Sequence, residues 1–219
     1  MMIFENKVFL HLPKSAGTSV NRMIKKSTGF IHKVVHGRIV DIPEEYESFK
    51  TYAIVRNPID WYKSILDYDI TKNGMFIIPF LFSDNGTSDY ITYINRCMNI
   101  KNTFISEPEL LEKFCNILRR RPKKRWKVYW QDDLDNIDLD FFNRSLYQLF
   151  YDEIGVGKAD VVYRMESDLD ALHKEFNFNS DIIHINKGEI KYPIIECITE
   201  KSKYIIIDNH KSIFDKYYT

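Results

Sequence analysis

The sequence predicts an α/β fold in three layers, in which helices cover both faces of a central, mainly parallel sheet. Two observations predict it. Short runs of β-branched and aromatic residues, which are typical of buried strands, alternate along the chain with segments of helical spacing. No repeat, low-complexity tract or Gly- and Pro-rich linker interrupts that alternation. Because 219 residues with 44% hydrophobic content suffice for one sizeable core, we expect a single domain over residues 1–219.

The first predicted unit is a strand, a loop and a helix. A β-branched and aromatic strand covers residues 7–12 and stops at Pro13, and the small-residue loop KSAGTS then leads into a helix over residues 20–26. A short strand with basic residues follows within residues 30–40, and a short helix or loop within residues 43–49.

A second unit of the same kind begins at residue 51. Residues 51–56 (TYAIVR) form a nearly continuous apolar strand, which ends at Asn57-Pro58. Proline suits the first turn of a helix because an N–H group there would have no intrahelical acceptor, so we predict a helix from Pro58 to about Asp69.

The rest of the chain is predicted as helices with two further strands. The aromatic segment GMFIIPFLFSDNG, residues 74–86, predicts an irregular excursion within a lid over residues 72–125, although the same aromatic side chains also suit a buried core. Ser106, followed three residues later by Glu109, predicts a capping box at the start of one helix. The predicted helices cover residues 88–99, 107–118, 139–150, 167–176 and 194–218, and the predicted strands cover residues 127–130 and 161–165.

The charge and cysteine content restrict the partners and the compartment. The 31 basic and 31 acidic residues cancel, so the chain has no overall attraction to nucleic acid or to an acidic membrane surface, and any anion site must be local. Three scattered cysteines favour a reducing compartment. The apolar runs are shorter than the roughly 18 residues of a membrane span, and Glu5 and Lys7 interrupt the N-terminal apolar stretch. We therefore expect a cytoplasmic protein with no membrane span and no nucleic-acid partner.

The loop LPKSAGTS, residues 12–19, combines residue types that bind phosphate or sulfate. A glycine-containing loop between a strand and a helix directs several backbone N–H groups to one point, where the helix dipole also favours negative charge. Lys14 adds a mobile cation, and Thr18 and Ser19 add hydroxyl donors. The loop is not a Walker A motif, because its lysine precedes the glycine and the first glycine of that motif is missing.

A second candidate anion contact follows the strand at residues 51–56. Arg56 lies at the carboxyl end of that strand, where open α/β sheets bind ligands. Ser64 follows eight residues later, about two turns into the next helix. The two side chains would meet one anion if the strand end and the helix converge. An ion pair between Arg56 and Asp60 is the structural alternative.

Together the two motifs resemble those of the sulfotransferases that use 3′-phosphoadenosine 5′-phosphosulfate (PAPS). The stretch HLPKSAGTS is similar to the 5′-phosphosulfate loop of that family, and VRNPIDWYKS is similar to its 3′-phosphate motif. The resemblance implies a P-loop-like sulfotransferase fold, transfer of a sulfuryl group from PAPS to a hydroxyl or amine acceptor without a metal, and a role for Lys14 in stabilising the leaving group. The residues that would hold the donor are Lys14, Ser15, Ala16, Gly17, Thr18 and Ser19 at the 5′-phosphosulfate, and Arg56 and Ser64 at the 3′-phosphate.

Weaker similarities to the same family extend over most of the chain. YRMESDLDAL is similar to a strand-then-acidic segment of the family, and IIDNHKSIFDKYY is similar to its terminal helix. The stretch HINKG resembles a late loop of the family, which implies that Asn186 and Lys187 also bind the donor nucleotide.

An acceptor hydroxyl must lose its proton, so a general base is expected near the sulfate. In carbohydrate-specific members of the family the base lies between the two motifs, and the resemblance therefore favours His36, beside Gly37, as the base. Asp41, Glu44 and Glu45 lie in the same stretch and are its rivals.

Two functions of other classes stay open. A P-loop-like kinase or nucleotide triphosphatase would share the fold and the anion chemistry, but it needs a magnesium-binding acid and a Walker lysine. A non-catalytic protein that binds a nucleotide or a polyanion would need only the pocket, and the basic run RRRPKKR, residues 119–125, suits a polyanion. No motif identifies the acceptor, a glycan or a small molecule with a hydroxyl group, or the oligomeric state.

Overall fold

The computed structural model describes residues 1–26, 29–33, 37–72, 76–120, 137–178 and 198–219. The chain divides into two compact units. The first unit, Met1–Asn57 and Phe150–Gly188, contains the sheet, and the second unit, Pro58–Leu149 and Glu189–Thr219, is helical in its described part. The single domain over residues 1–219, with a lid over residues 72–125, stays a prediction.

A five-stranded sheet is the centre of the first unit. Its strands are β1 Met2–Phe4, β2 Lys7–His11, β3 Phe30–Lys33, β4 Lys50–Val55 and β5 Val161–Arg164, and they lie in the order β3-β1-β2-β4-β5. β2 pairs in parallel with β4, and β4 with β5, whereas β1 is antiparallel to both of its neighbours. Four strands therefore run in one direction and β1 runs against them.

The α/β class is confirmed, and so are the predicted strands that correspond to β2, β3, β4 and β5. β1 is the strand that the sequence analysis misses. The apolar run MMIF turns at Glu5, which has a φ of 50°, and returns as a hairpin in which Met2 pairs with Phe9. Two apolar runs separated by a two-residue polar turn are the signal that indicates such a hairpin.

One face of the sheet packs against α1, Gly17–Lys26, and α8, Leu169–Glu175. The ring of Phe176 lies 6.1 Å from that of Phe9 and 5.1 Å from that of Tyr52, edge-on to both. On the other face Val8 and Leu10 are also fully buried. Both faces are thus buried at the three central strands β1, β2 and β4, as expected for strands in an α/β fold. The buried core residues on the first face are Met2, Phe4, Phe9, Val20, Met23, Ile24, Tyr52, Ile54, Leu172, Phe176 and Phe178.

The second unit is built from helices around aromatic side chains. The ring of Phe104 lies 5.5 Å from that of Phe82, 5.4 Å from that of Phe114 and 5.4 Å from that of Phe142. The predicted helices at residues 58–69, 88–99 and 107–118 are confirmed, and the helical prediction over residues 194–218 is confirmed for its described part, which forms two helices. The helices, of which α7 continues into the first unit, are α2 Pro58–Thr71, α3 Ile78–Phe82, α4 Tyr90–Met98, α5 Ile100–Ser106, α6 Pro108–Arg120, α7 Leu146–Ile154, α9 Glu200–Asn209 and α10 Lys211–Tyr217.

The aromatic segment at residues 76–82, which includes α3, belongs to the core of the second unit. Asp69 on α2 is fully buried, and its carboxylate accepts hydrogen bonds from the backbone N–H groups of Phe76 and Phe80. Between them Ile77, with a φ of 67°, is the centre of a γ-turn that Ile78 closes by donating to the Phe76 carbonyl oxygen over 2.8 Å. The segment predicted as an irregular excursion is thus, over its described residues, a γ-turn followed by the short helix α3 and a 3₁₀ turn, and its apolar side chains are buried in the core.

Arg96 on α4 connects the 3₁₀ turn before its own helix with the residue between α5 and α6. Its guanidinium donates to the two carboxylate oxygens of Glu107, over 3.0 and 2.6 Å, and to Asp84 Oδ2 over 2.9 Å. The capping box predicted at Ser106 is wrong. Ser106 ends α5, where its hydroxyl donates over 2.9 Å to a carbonyl oxygen of its own helix, and α6 begins only at Pro108.

The helix predicted over residues 139–150 is interrupted. Leu139–Phe142 forms a short 3₁₀ turn, and the α-helix α7 begins at Leu146. Ser145 explains this start, because its Oγ accepts from the backbone N–H of Gln148 over 3.2 Å, as an N-cap residue does. The strand predicted at residues 127–130 lies outside the described residues. Within the described ranges, no helix combines the length and the apolar character that a membrane crossing requires.

A buried imidazole lies among hydroxyl groups in the second unit. Nε2 of His210, a residue that is 1% exposed, lies 3.2 Å from the Tyr62 hydroxyl and 3.4 Å from the Ser145 hydroxyl. The Tyr62 hydroxyl already accepts from the backbone N–H of Tyr147 over 3.0 Å, so its own proton can point to the imidazole. Burial lowers the pKa of His210 to about 4, and the ring is therefore neutral at pH 7.

We expect acid to destabilise the fold through His210 between pH 6.5 and about pH 4. The unfolded chain protonates this imidazole near pH 6.5, but the folded chain does so near pH 4. The unfolded state then binds more protons in that window, so the free energy of unfolding falls as the pH falls, by about 3 kcal/mol in full. Urea unfolding at several pH values measures this. His210→Phe should lose this part of the pH dependence, and equal slopes in both proteins would contradict it.

Candidate anion site at the carboxyl edge of the sheet

The parallel strands β2, β4 and β5 end at the same edge of the sheet. His11 pairs with Ile54, and Val55 pairs with Arg164, so the segments that follow the three strands begin side by side. Ligands bind at this edge in open α/β sheets. The three segments are the β2–α1 loop (residues 12–16), the β4–α2 turn (residues 56 and 57) and the β5–α8 turn (residues 165–168).

The β2–α1 loop has an unusual backbone. Lys14 and Ala16 have φ angles of 64° and 54°, which cost a residue other than glycine about 1–2 kcal/mol each. Left-handed residues of this kind turn neighbouring N–H groups toward one side and form an anion-binding nest. At the start of α1, Ser19 is buried and its N–H donates to the Ala16 carbonyl oxygen over 2.9 Å, whereas Thr18 is exposed. The N–H groups of Gly17 and Thr18 precede the first intrahelical bonds, so they suit an oxyanion.

Ser15 lies fully buried between the two left-handed residues. Its backbone N–H donates to the Leu12 carbonyl oxygen over 3.1 Å, which closes the loop. Its hydroxyl has no hydrogen-bond partner in the part of the chain that the structure describes. A buried hydroxyl without a hydrogen bond lowers the free energy of unfolding by about 1–3 kcal/mol. The Ser15 hydroxyl therefore indicates a polar partner from outside the described chain, such as a ligand oxygen or an ordered water.

Gly17, the first residue of α1, lies so close to His11 that there is no room for a side chain. His11, the last residue of β2, is 8% exposed, and its ring stacks on that of Phe9 at 6.2 Å. A Cβ atom on Gly17 would overlap the His11 imidazole. Glycine is therefore required here by the close approach of α1 to the end of β2.

A hydrogen bond from Arg56 connects the motif VRNPIDWYKS with the loop LPKSAGTS. Its Nη1 donates to the carbonyl oxygen of Lys14 over 2.9 Å, and the two residues are 42 positions apart in the chain. The half-buried guanidinium of Arg56 therefore lies beside the β2–α1 loop. A guanidinium presents N–H donors in a planar fork that suits the oxygens of a phosphate.

Two hydrogen bonds hold the β4–α2 turn against the segment after β5. The Val55 carbonyl oxygen accepts from the backbone N–H of Met165 over 2.8 Å. The backbone N–H of Asn57 donates to Glu166 Oε1 over 2.8 Å. These bonds lie immediately before and after Arg56 in the chain, so they fix its backbone from both sides.

An ion pair closes the β5–α8 turn. Nε and Nη2 of Arg164 donate to the two carboxylate oxygens of Asp168, each over 3.1 Å. The Arg164 backbone N–H donates to the same carboxylate over 2.8 Å, and the Asp168 N–H donates to the Arg164 carbonyl oxygen over 2.9 Å. The side-chain hydrogen bonds from Arg164 lower the pKa of Asp168 to about 2, so the pair is charged at neutral pH.

Other residues predicted for the donor site lie in the second unit or outside the described residues. Ser64 is half-buried on α2, and its sharing of one anion with Arg56 stays a prediction. Asp60, the alternative partner of Arg56, pairs with Lys63 on its own helix over 3.6 Å. The predicted residues outside the described ranges are His36, Asn186, Lys187 and residues 121–125 of the basic run.

The acids that rival His36 as a base differ in their surroundings. Asp41 accepts from the Nε and the Nη2 of Arg38 over 3.1 and 3.0 Å. Burial opposes the charge of Asp41, but these bonds outweigh it and lower the pKa of the carboxyl. A paired carboxylate of lowered pKa is a weak base, so Asp41 suits the role less than Glu44 and Glu45, which are exposed on a 3₁₀ turn. Among the described residues, no group of three His, Cys, Asp or Glu side chains is arranged to hold a metal ion.

Neither His11 nor Glu166 is among the residues that the motifs assign to the site, and the segment YRMES predicts a structural role for Glu166. His11 fixes the close approach of α1, and Glu166 holds the β4–α2 turn. The signal that could have indicated them is their position: His11 is the last residue of β2, and Glu166 comes two residues after β5, at the carboxyl ends of parallel strands.

Comparison with known proteins adds no relative to these observations. No protein-family model, no curated protein and no solved structure matches the chain. The resemblance to the PAPS sulfotransferases therefore depends on the residues themselves, above all on the β2–α1 loop and on the motif that begins at Arg56.

We expect Gly17→Ala to destabilise the first unit by about 1–3 kcal/mol, because the new methyl group overlaps His11. In a His11→Ala background the same change should cost at least about 1 kcal/mol less, since the space is then open. Urea unfolding of the two single variants and the double variant measures this coupling. Gly157 lies before β5, at the opposite edge of the sheet, so the destabilisation by Gly157→Ala should simply add to that by His11→Ala. If the effects of Gly17→Ala and His11→Ala also add without coupling, the steric explanation is wrong.

Proposed function

We propose that the protein is a PAPS-dependent sulfotransferase, which transfers a sulfuryl group from PAPS to a hydroxyl or amine of its acceptor. The contact between Arg56 and Lys14 supports this most, because it joins in space two motifs that resemble the donor-binding motifs of that family. The buried Ser15 hydroxyl, for which the described chain supplies no partner, supports it independently.

The residues of the β2–α1 loop fit a phosphosulfate group. The Lys14 ammonium would contact the bridging oxygen and the 5′-phosphate, and the Ser15 hydroxyl would donate to a ligand oxygen. Arg56 would hold the 3′-phosphate together with Ser64. The other residues proposed to hold the donor are Ala16, Gly17, Thr18, Ser19, Asn186 and Lys187.

PAPS, when bound, supplies an activated sulfuryl group. In the transfer a bond forms between the acceptor oxygen and sulfur, and the bond between sulfur and the bridging oxygen of the 5′-phosphate breaks. The electron pair of the broken bond stays on the 5′-phosphate of adenosine 3′,5′-bisphosphate, where Lys14 stabilises the charge. The acceptor proton passes to a base, for which we propose His36. As in phosphoryl transfer, positioning and cationic stabilisation supply most of the catalysis.

We further propose the P-loop-like, three-layer form of the α/β fold. The loop between β2 and α1, the four strands of common direction and the burial of both sheet faces support it. The acceptor would be a cytoplasmic glycan or small molecule with a hydroxyl group.

Calorimetric binding of adenosine 3′,5′-bisphosphate, of 5′-AMP and of ATP with magnesium, at one salt concentration, tests the donor site. We expect the bisphosphate to bind most tightly and without magnesium. Lys14→Ala should abolish turnover with little loss of bisphosphate affinity, whereas Arg56→Ala should weaken that affinity by roughly 2–4 kcal/mol, because a desolvated arginine–phosphate pair is lost.

Lys25→Ala and Arg22→Ala, which remove exposed cations from α1, are the matched controls for these two variants. Equal affinity in Arg56→Ala and Arg22→Ala would contradict the donor site. A preference of the wild type for magnesium-ATP would favour a kinase or nucleotide triphosphatase instead, and no binding of any of the three nucleotides would mean that the motifs have another role.

His36→Ala should lower kcat by about 10²–10⁴ and leave the affinity for adenosine 3′,5′-bisphosphate unchanged, because a general base acts on the acceptor and not on the nucleotide. Initial rates with an acceptor found by screening hydroxyl compounds measure this. A rate equal to that of the wild type would move the role of base to Glu44 or Glu45.

A further inference from the structure

We infer that Glu166 is a positioning residue of the anion site, which holds Arg56 where its guanidinium reaches the β2–α1 loop. The inference rests on the proposed function, in which Arg56 binds the 3′-phosphate. Glu166 itself is exposed and belongs to neither of the two donor-binding motifs.

Two hydrogen bonds from the β5–α8 turn hold the backbone of the β4–α2 turn. The Asn57 N–H donates to Glu166 Oε1 over 2.8 Å, and the Met165 N–H donates to the Val55 carbonyl oxygen over 2.8 Å. Both bonds come from consecutive residues of the β5–α8 turn, and they enclose Arg56.

An ion pair fixes the segment that carries Glu166. Arg164 and Asp168 close this segment on either side, with an Nε–Oδ2 distance of 3.1 Å. The Ser167 hydroxyl adds a hydrogen bond to Asp168 over 2.8 Å. Glu166 therefore lies on a turn that is fixed at both ends. Its carboxylate binds the Asn57 N–H and so holds the backbone next to Arg56 in place.

A positioning role of Glu166 and a simple effect of its charge predict opposite changes in phosphate affinity. A carboxylate near an anion site repels the anion, so the loss of its charge alone would raise the affinity for every phosphate. A positioning role predicts the opposite sign, because Arg56 loses its orientation. It also predicts selectivity, since only the phosphate that Arg56 binds is affected.

Calorimetric titrations with adenosine 3′,5′-bisphosphate and with 5′-AMP test this in three variants. Glu166→Ala removes the acceptor of the Asn57 N–H, whereas Glu166→Gln keeps an acceptor oxygen and removes the charge. Asp170→Ala removes one exposed charge from α8 and leaves the turn intact. We expect Glu166→Ala to lower the ratio of bisphosphate to AMP affinity about 3- to 10-fold. The other two variants should keep the wild-type ratio within about twofold.

An unchanged ratio in Glu166→Ala, or an equal loss in Glu166→Gln, would overturn the inference and leave the proposed function intact. If the wild type binds no bisphosphate, the proposed function fails instead, and hydrogen exchange of the Asn57 amide decides the role of Glu166. If the Asn57 amide exchanges faster in Glu166→Ala than in Glu166→Gln, Glu166 holds the β4–α2 turn as inferred. Equal exchange rates in the two variants would overturn the inference. Thermal unfolding midpoints of all variants show whether the fold itself has changed.

Discussion

The hydrogen bond from the Arg56 guanidinium to the carbonyl oxygen of Lys14 connects the parts of the candidate site, and it acts in two directions. Toward the loop, it fixes the peptide group of a residue whose backbone is left-handed. Toward the strand, it sets the direction of a side chain whose own backbone is held by the segment after β5. The bond exists because β2 and β4 are neighbours in the sheet, so the site depends on the order of the strands as well as on its motifs.

The β2–α1 loop keeps an unfavourable conformation without glycine at its left-handed positions. Lys14 and Ala16 take the positive φ angles, and about 1–2 kcal/mol for each must be offset by the contacts around them. The bonds to the carbonyl oxygens of Leu12 and Lys14 each contribute roughly 0.5–1.5 kcal/mol toward this. The glycine of the loop motif is needed one residue later, where α1 passes His11. Backbone strain of this kind collects at functional sites, which agrees with an anion-binding role.

The fold class and four of the strands are predictable because apolar periodicity is a local signal that each segment carries by itself. Predictions that depend on competition between side chains are less secure. Ser106 has the right spacing to Glu109 for a capping box, but α5 continues through it while Arg96 binds the neighbouring Glu107. In the site, residue types alone indicate anion chemistry in the loop. The hydrogen bond from the Asn57 N–H to Glu166 joins residues that are 109 positions apart, and no local sequence pattern predicts a contact of that kind.

The order of the strands also governs when the site can form as the chain folds. The hairpin of β1 and β2 joins neighbours in the chain and closes a short loop. β4 can pair with β5 only after the segment between them, which contains helices α2–α7, is present in the chain. The Asn57–Glu166 hydrogen bond likewise joins residues that are 109 positions apart. Long loops lose more conformational entropy on closure and slow the folding of the strands that they connect. A partly synthesised chain therefore carries the β2–α1 loop and Arg56 well before it has β5 and Glu166. The proposed anion site can take its final geometry only once β5 has been added.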